Sequence, residues 1–301
     1  MMIQKLKDSD LKSTTKNAYV SVIKSIESYC KEKIENIYTD PETYWPKIES
    51  KCKQTSTCRN NIKILLTLMR LADIKKEDME LYNKWYKIFV TLTKEVNDEN
   101  DNNVQTDKSL NWENVLKIRD EKLQDLSLLQ QVVIGIYTYI PPRRQLDYWK
   151  MKIVYDGNSV PEVKKGTTGF IVLKDKKIIV HDYKTVKQFK EWEIAIPGKL
   201  LSIIEKYLNS YETRLEYLFC TSKGKPYSTL TSFTNSNNKI IKQIFKNDKV
   251  SVNSLRHAAA TYVNHKKDMT RAEKKQWAED MGHSFSMQQM YVEAIPSEKS
   301  R

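Results

Sequence analysis

The chain has 301 residues, of which 40% are hydrophobic and 10% aromatic, with 51 Lys and Arg against 38 Asp and Glu. This composition is typical of a globular protein and excludes a disordered chain. The longest mostly apolar stretch, LLQQVVIGIYTYIPP, is too short and too mixed to cross a bilayer, and the start, MMIQKLKDSDLK, lacks the apolar segment of a signal peptide. We therefore expect an intracellular protein, cytoplasmic or nuclear, that contacts no membrane.

The net charge of +13 is concentrated in the second half of the chain. Residues 1–150 hold 25 basic and 22 acidic side chains, whereas residues 151–301 hold 26 and 16, so the net charges are +3 and +10. A basic half beside a nearly neutral one is typical of proteins that bind a polyanion, and we expect nucleic acid as the partner. The alternative is a solvated Lys-rich surface in a protein rich in Lys, Asn and Ile.

The four cysteines form no CxxC pair, and the chain has only four histidines that could serve with them as ligands. The sequence therefore predicts no zinc site, and we expect neither a metal nor another cofactor. Cysteines this sparse are typical of reduced thiols in a cytosolic or nuclear protein. They are Cys30, Cys52, Cys58 and Cys220.

Residues 1–100 have the apolar spacing of helices alone, which predicts a small all-helical domain. Thr14 or Thr15 can cap a first helix, and Ser56 or Thr57 can cap a second one whose apolar residues form a stripe. A third candidate helix is KEDMELYNKWYKIFVTLTKEV.

The polar stretch NDENDNNVQTDKS predicts a linker over residues 101–109, followed by a second domain over residues 110–301. This domain begins with two predicted helices that end at Pro141 and Pro142. The segments WKMKIV, GFIVLK, KIIVHDYK and EWEIAIP then predict a small antiparallel sheet, because they are short and rich in β-branched and aromatic residues. Helices return afterwards. The predicted fold class is mainly α, with an all-helical first domain and an α+β second domain.

Two segments place an arginine where it could bind phosphate. In PPRRQLDYW, Arg144 and Asp147 are three residues apart, so a helical turn would put them on one face and let the carboxylate orient the guanidinium. In SVNSLRHAAATYVNH, Asn253 or Ser254 can cap a helix that carries Arg256 near its free N–H groups. Taken alone, the first segment is more typical of a structural ion pair and the second of a plain capped helix.

Two further segments contain residues with acid–base or nucleophilic chemistry. HDYKTVKQFKEWEIAIP predicts a β-hairpin whose connection carries Lys184 and Lys187, which point to solvent or reach a bound DNA backbone. TRAEKKQWAEDMGHSFSMQQMYVEA predicts two helices separated by a tight turn at Gly282, with His283 in the turn and Tyr291 eight residues later. The two predicted capping boxes are Thr270–Glu273 and Ser286–Gln289.

Taken in order, these four segments resemble the catalytic domain of the tyrosine recombinases, the phage-integrase family. The resemblance covers roughly residues 108–295, and the helical first part looks like the core-binding domain with which this family clamps DNA. It implies a tyrosine-recombinase-like fold. The residues that match the family motifs are Arg144 with Asp147, Lys184, Arg256 with His257, His283 and Tyr291.

The resemblance implies a role for each of these side chains. Arg144 and Arg256 would clamp the non-bridging oxygens of a DNA phosphodiester, while His283 donates a further hydrogen bond. Tyr291 would attack the phosphorus and form a covalent 3′-phosphotyrosyl enzyme. The leaving 5′-oxygen is strongly basic and needs a proton donor, for which we expect Lys184. Lys187 is the alternative acid.

The chain departs from the family pattern at two places. Asn253 stands where the family has His or Lys, and an amide cannot accept a proton at neutral pH. The proton acceptor therefore stays open between water, the phosphate and His257. Two prolines also replace the usual Gly before the first arginine, so that Arg143 competes with Arg144 for its role; the spacing to Asp147 favours Arg144.

The resemblance implies a site-specific recombinase or integrase that acts on double-stranded DNA as a homo-oligomer, a tetramer on two DNA sites. The Lys-, Asn- and Ile-rich composition suggests a virus or mobile element as the source. One alternative is a type IB topoisomerase-like enzyme, which relaxes DNA with nearly the same residues. Another is a recombinase-derived DNA-binding protein with weakened catalysis, which Asn253 alone supports.

Overall fold

The computed structural model of the protein describes residues 2–106, 110–156, 168–181, 191–221 and 223–285, with only the backbone described at 100–106. The chain divides into two compact units, Met1–Thr106 and Asp107–Arg301. Each unit has its own buried apolar core. In the described part of the chain, no helix is long and apolar enough to cross a membrane.

The N-terminal unit is helical throughout its described residues. Its helices are α1 (Met2–Asp8), α2 (Ser13–Cys30), α3 (Ile34–Ile37), α4 (Pro41–Glu49), α5 (Thr55–Leu71), α6 (Ile74–Glu77) and α7 (Met79–Thr106). Helix α5 is central, because its apolar side chains are buried in the core and it packs against α1, α2 and α7. The apolar stripe predicted from the sequence is the face that α5 buries.

Helices α2 and α5 begin earlier than their predicted caps. Helix α2 follows Lys12 and α5 follows Gln54, and neither side chain bonds a free N–H group of its helix. A cap contributes about 1 kcal/mol, whereas burying one large apolar side chain contributes about 1.5–3 kcal/mol, so packing rather than capping sets these starts. The residues predicted as caps lie inside the helices: Thr14, Thr15, Ser56 and Thr57.

The predicted linker at 101–109 is helical over most of its length, because α7 continues to Thr106. Asn and Asp are weak helix formers, and their density in this stretch is what suggested a linker. Extending an established helix is far more favourable than nucleating one, so the amphipathic first part of α7 carries the helix into the polar residues.

Two cysteines are paired, contrary to the expectation of four reduced thiols. Cys52 and Cys58 form a disulfide with a sequence separation of 6 and Cα atoms 5.6 Å apart. Cys52 lies in the connection between α4 and α5, and Cys58 lies in the first turn of α5, so the pair forms without a CxxC spacing. Cys30 and Cys220 are free and buried. Among the described residues, no group of three His, Cys, Asp or Glu could hold a metal ion.

The C-terminal unit combines helices with one small sheet, which confirms the predicted fold class. Its helices are α8 (Trp112–Lys122), α9 (Leu128–Thr138), α10 (Gln145–Tyr148), α11 (Gly198–Asn209), α12 (Leu230–Phe245), α13 (Val252–His265) and α14 (Arg271–Asp280). Its strands are β1 (Lys152–Val154), β2 (Gly169–Val172), β3 (Lys177–Val180) and β4 (Trp192–Ala195).

The sheet is mixed rather than wholly antiparallel as predicted. The strand order is β1-β2-β3-β4, and β2, β3 and β4 pair antiparallel. Strand β1 pairs parallel to β2, with Lys152 opposite Phe170. Composition and alternation indicate strands but not their direction, and a parallel pair needs a long connection, for which the 14 residues between Val154 and Gly169 are enough.

Helix α9 forms the centre of this unit and leads to the candidate site. Seven successive residues, Val132 to Thr138, are buried, and the helix contacts α8, α11, α12 and α13. A helix that is apolar all round must be enclosed in this way. The chain leaves α9 through Pro141 and Pro142, so that Arg143 and Arg144 follow directly from the core.

Candidate functional site

The site is built around the turn that follows α14. The predicted capping box of Thr270 and Glu273 is present at the start of this helix. The helix ends at the predicted place, where Gly282 has φ +69, a left-handed conformation that strains any other residue. A Cβ at Gly282 would also lie 3.1 Å from Arg143 Nη2. The turn leads into His283, whose backbone N–H donates to Ala278 O at 2.9 Å.

Three arginines donate to three consecutive backbone carbonyls of this turn. The pairs are Arg143 Nη1 to Asp280 O at 2.8 Å, Arg256 Nη1 to Met281 O at 3.2 Å and Arg144 Nη1 to Gly282 O at 2.9 Å. Carbonyls at the C-terminal end of a helix lack intrahelical donors and carry partial negative charge, which favours cations. The end of α14 therefore gathers positive charge from segments more than a hundred residues apart.

Arg256 comes from α13, which begins earlier than predicted. Ser251 is its N-cap and forms a capping box with Ser254, so the prediction of Asn253 or Ser254 as the cap is wrong. Ser251 is the N-cap because the two hydrogen bonds are reciprocal. The backbone N–H of Ser254 donates to the Ser251 hydroxyl and the backbone N–H of Ser251 donates to the Ser254 hydroxyl, so two free N–H groups are satisfied together. Arg256 consequently lies in the second turn, not the first. It is 4% exposed and also donates to Pro142 O at 3.0 Å.

The imidazole of His283 lies directly against Arg256. Nη2 of Arg256 donates to Nε2 of His283. A guanidinium has no acceptor, so Nε2 must carry the lone pair and the ring proton sits on Nδ1. Burial, together with the charges of Arg256 and Arg144, lowers the pKa of His283 to about 3. The ring is therefore neutral at physiological pH and carries its one N–H at Nδ1.

The carboxylate of Asp147 binds Arg143, not Arg144. Arg143 Nε donates to Asp147 Oδ2 at 2.8 Å, and both side chains are fully buried. The predicted pair of Arg144 with Asp147 is therefore wrong. Helix α10 starts at Gln145, so Arg144 is its extended N-cap and the spacing rule for helix faces does not apply to it. Arg144 is half-buried and reaches Gly282 instead.

Sequence reasoning missed the aromatic support of this cluster. The guanidinium of Arg143 lies 4.3 Å from the ring centroid of Trp192 in β4. Nε1 of Trp192 donates to Asp280 Oδ1 at 3.1 Å, which ties the sheet to the end of α14. Trp192 was apparent only as a strand residue. Only the adjacency of Arg143 and Arg144 in the sequence indicated that a second arginine belongs to this cluster.

Sequence reasoning also missed Asn238 in α12. Its Oδ1 accepts from Nε2 of Gln145 at 2.9 Å and from the backbone N–H of Val252 at 3.1 Å. Gln145 follows Arg144 directly, and Val252 is the first residue of the helix that carries Arg256. One amide oxygen thus joins the two arginine-bearing segments. No motif or spacing in the sequence indicates this contact.

Asn253 and His257 are exposed on α13, one turn apart. Desolvation by the surrounding protein and the charge of Arg256 lower the pKa of His257 below its ordinary value. The remaining predicted site residues, Lys184, Lys187 and Tyr291, lie outside the described residues, as does the predicted capping box of Ser286 and Gln289. The strands that flank the lysines pair antiparallel, with Val180 opposite Trp192.

No protein-family model matches the sequence, and no curated protein matches it either. Among solved structures, the crystal structure of XerA recombinase aligns over 99% of this chain and 92% of that chain. The sequence identity is 13% and the TM-score is 0.41, so the similarity is low in both sequence and structure.

The described cluster can bind an anion through the planar guanidinium groups of its arginines. Arg144 and Arg256 provide two guanidiniums, and neutral His283 adds an uncharged donor next to them. The carboxylate of Asp147 is buried in its pair with Arg143.

Proposed function

We propose that the protein is a site-specific tyrosine recombinase that cuts and rejoins double-stranded DNA through a covalent 3′-phosphotyrosyl intermediate. The observation that carries this proposal is the convergence of Arg144, Arg256 and His283 on the turn after α14. These are three of the five residues to which the family resemblance assigns a catalytic role, and they come from three separate segments. Unrelated structural contacts would not be expected to bring these three residues together.

The chemistry requires the two arginines to act at the scissile phosphate. Attack on a phosphodiester builds negative charge on its non-bridging oxygens, and preorganised donors stabilise that charge without reorganising. Arg256 is held by two carbonyls and by His283, so it is fixed before substrate arrives. Arg144 is held by one carbonyl and is half-buried, so its guanidinium can direct two N–H groups toward the phosphate.

The nucleophile and the acid complete the step. Tyr291 Oη loses its proton and bonds to phosphorus while the bond from phosphorus to the 5′-oxygen breaks. The leaving oxygen takes a proton from Lys184, with Lys187 as the alternative. The phosphotyrosyl bond retains enough free energy for the 5′-hydroxyl of another strand to reverse the step.

We propose that the N-terminal unit clamps DNA, as the family resemblance implies. Helix α5 contains no carboxylate, and its three cations recur four and seven residues apart, which places them on one face. They are Arg59, Lys63 and Arg70; Lys63 and Arg70 are exposed, and Arg59 is half-buried. The nearly neutral charge of this half is therefore compatible with a basic face that tracks phosphates. A tetramer on two DNA sites belongs to the same proposal.

The decisive experiment uses a pool of duplexes that carry a central nick and random flanking sequence. Incubated wild-type protein should form adducts that survive SDS, and sequencing of the recovered DNA defines the preferred site. A 5′ label on the cut strand should shift with the protein, because the protein bonds to the 3′-phosphate, while the released fragment should carry a 5′-hydroxyl. Tyr291→Phe should form no adduct.

The other outcomes separate the alternatives. If wild type and Tyr291→Phe behave alike, the tyrosine mechanism is wrong. Relaxation of supercoiled plasmid without a preferred site, and without strand exchange, identifies a type IB topoisomerase. Tight binding of a recovered duplex without any adduct identifies a DNA-binding protein that has lost catalysis.

A further inference from the structure

The first residue of strand β4 reaches from the sheet to the end of a helix. Trp192 and Ile194 lie on one face of this strand, whereas Glu193 and Ala195 are exposed on the other. Trp192 is 7% exposed, and its Nε1 donates to Asp280 Oδ1 at 3.1 Å. Asp280 is the last residue of α14, so this hydrogen bond joins the sheet to the turn that holds the arginines.

Trp192, Arg143 and Asp280 each contact the other two. The guanidinium of Arg143 lies 4.3 Å from the indole centroid and donates from Nη1 to Asp280 O at 2.8 Å, while the indole N–H binds the Asp280 carboxylate. Nε2 of Gln276 also donates to Asp280 Oδ1, at 3.1 Å. The last residue of α14 is therefore held both by its backbone carbonyl and by its side chain.

The position of Asp280 sets the position of the turn. Gly282 and His283 follow it by two and three residues, and the carbonyl of Gly282 accepts from Arg144. A Cβ at Gly282 would lie 3.1 Å from Arg143 Nη2 and 3.4 Å from Arg144 Nη1, so the turn packs closely against both guanidiniums. A shift of the turn therefore moves the arginines with it. A misplacement of about 1 Å costs about 100-fold in rate.

A second tryptophan in this unit lacks such a hydrogen bond. Trp277 is half-buried in α14, and its Nε1 has no hydrogen-bond partner among the described residues. A ring without nitrogen fills a core position as well as an indole does, whereas only an N–H group can donate to the carboxylate of Asp280. The indole at Trp192 is thus matched to Asp280 as well as to the core.

We propose that Trp192 is a positioning residue for the phosphate site. It acts through Asp280 and Arg143 rather than by contact with DNA, and through the turn it aligns Arg144 and Arg256 on the scissile phosphate. The inference rests on the proposed recombinase function. It gives the sheet a part in cleavage through a residue that no sequence motif named above includes.

The test measures single-turnover adduct formation on one nicked duplex recovered from the random pool. Varying the protein concentration separates the saturating rate from the concentration for half-saturation. Trp192→Phe keeps a ring beside Arg143 but removes the N–H donor. Its saturating rate should fall about 100-fold, because the turn and its arginines lose their alignment, while half-saturation stays that of wild type. Trp277→Phe is the matched control and should equal wild type in both quantities.

Variants of Asp280 test whether Trp192 acts through this residue. Asp280→Asn keeps an acceptor oxygen and should cleave at nearly the wild-type rate, whereas Asp280→Leu should be about as slow as Trp192→Phe. A chain with both Trp192→Phe and Asp280→Leu should be no slower than the slower single variant, because both changes remove the same hydrogen bond.

Several outcomes would overturn the inference and leave the recombinase proposal intact. A wild-type saturating rate in Trp192→Phe is one. A loss that appears only in half-saturation, or only in the folded fraction measured by urea unfolding, is another, since either indicates a structural role alone. Equal losses in Asp280→Asn and Asp280→Leu, or losses that multiply in the double variant, also overturn it. Absence of any adduct with wild type overturns both proposals.

Discussion

The guanidinium of Arg143 and the carboxylate of Asp147 form a fully buried ion pair, with Nε and Oδ2 2.8 Å apart. Burial raises the pKa of the Asp147 carboxyl, and the charge of Arg143 opposes that shift. Each charge is tolerated in the core only because the other is present. The pair also holds the carbonyl of Asp280, so it fixes the turn that carries His283.

Arg143→Met should therefore destabilise the protein by about 3–5 kcal/mol in chemical denaturation, because it leaves a buried carboxylate without its partner. Replacing Asp147 with Leu in the same chain should recover much of that loss. Lys117→Gln is the matched control, since Lys117 and Glu121 form an exposed pair at the same spacing, and it should change stability by less than about 0.5 kcal/mol. A cost below about 1 kcal/mol for Arg143→Met would contradict this account.

Arg144→Ala, unlike Arg143→Met, should change the stability little and the cleavage rate strongly. Its side chain is half-buried and donates to one carbonyl in the described contacts, so the free energy of unfolding should fall by only about 1 kcal/mol. Adduct formation on the nicked duplex should slow about 100-fold or more, because removal of a transition-state donor typically costs 10²–10³-fold. If Arg144→Ala cleaves at the wild-type rate, the arginine that binds the phosphate is Arg143, the alternative candidate.

This division of roles could not be predicted from the sequence. The spacing of Arg144 and Asp147 suits a helix face only if both residues lie in the helix, and α10 begins one residue too late. Likewise, the run SVNS offers three residues that can cap a helix, and only the reciprocal hydrogen bond of Ser254 selects Ser251. The sequence pattern located these segments well, because apolar spacing and turn residues act locally. The partner that Arg144 does bind, the carbonyl of Gly282, is 138 residues away, so local spacing does not indicate it.

The same limit applies to the fold. Three of the seven helices of the first unit, α2, α5 and α7, were predictable from periodicity, as were the four strands from their composition, and the end of α14 was predictable from Gly282. The parallel pairing of β1 with β2, the length of α7 and the Cys52–Cys58 disulfide were not. The parallel pairing depends on how separate segments meet, whereas the length of α7 follows from the extension of an established helix and the disulfide joins residues only six apart.

Acid should destabilise the protein in part through His283. An unfolded histidine takes up a proton near pH 6.5, whereas the pKa of His283 in the folded protein is lowered to about 3. Below pH 6.5 the unfolded state therefore binds more protons, and stability is lost as the pH falls from about 6.5 toward 3. His283→Gln keeps an acceptor for Arg256 but removes this proton uptake.

The stability difference between wild type and His283→Gln should consequently shrink by about 2–3 kcal/mol between pH 7 and pH 4.5, at about 1.4 kcal/mol per pH unit. Urea unfolding at several pH values measures it. His265→Gln controls for the removal of an exposed histidine. A difference that stays constant with pH would show that folding does not lower the pKa of His283.

Asn238 should matter for catalysis through its acceptor oxygen alone. Asn238→Asp keeps an oxygen for both Gln145 and the Val252 N–H, so it should cleave at nearly the wild-type rate. Asn238→Leu removes that acceptor and should cost about 1–3 kcal/mol in stability. It should also slow adduct formation, because the two arginine-bearing segments lose their common anchor. Equal cleavage rates in the two variants would show that the contact positions neither arginine.

The role of Lys184 can be tested by changing the leaving group instead of the protein. A duplex with sulfur in place of the 5′-bridging oxygen releases a thiolate, which is far less basic than an alkoxide and needs no proton donor. Lys184→Ala should cleave ordinary DNA about 100-fold more slowly than wild type, yet cleave the sulfur-containing duplex at nearly the wild-type rate. Arg256→Lys should be slow on both duplexes, because a lysine cannot reproduce the planar fork that binds the phosphate. Lys187→Ala is the matched control from the same connection. If Lys187→Ala shows the rescue and Lys184→Ala does not, the acid is Lys187; if neither is rescued, the proton comes from another group.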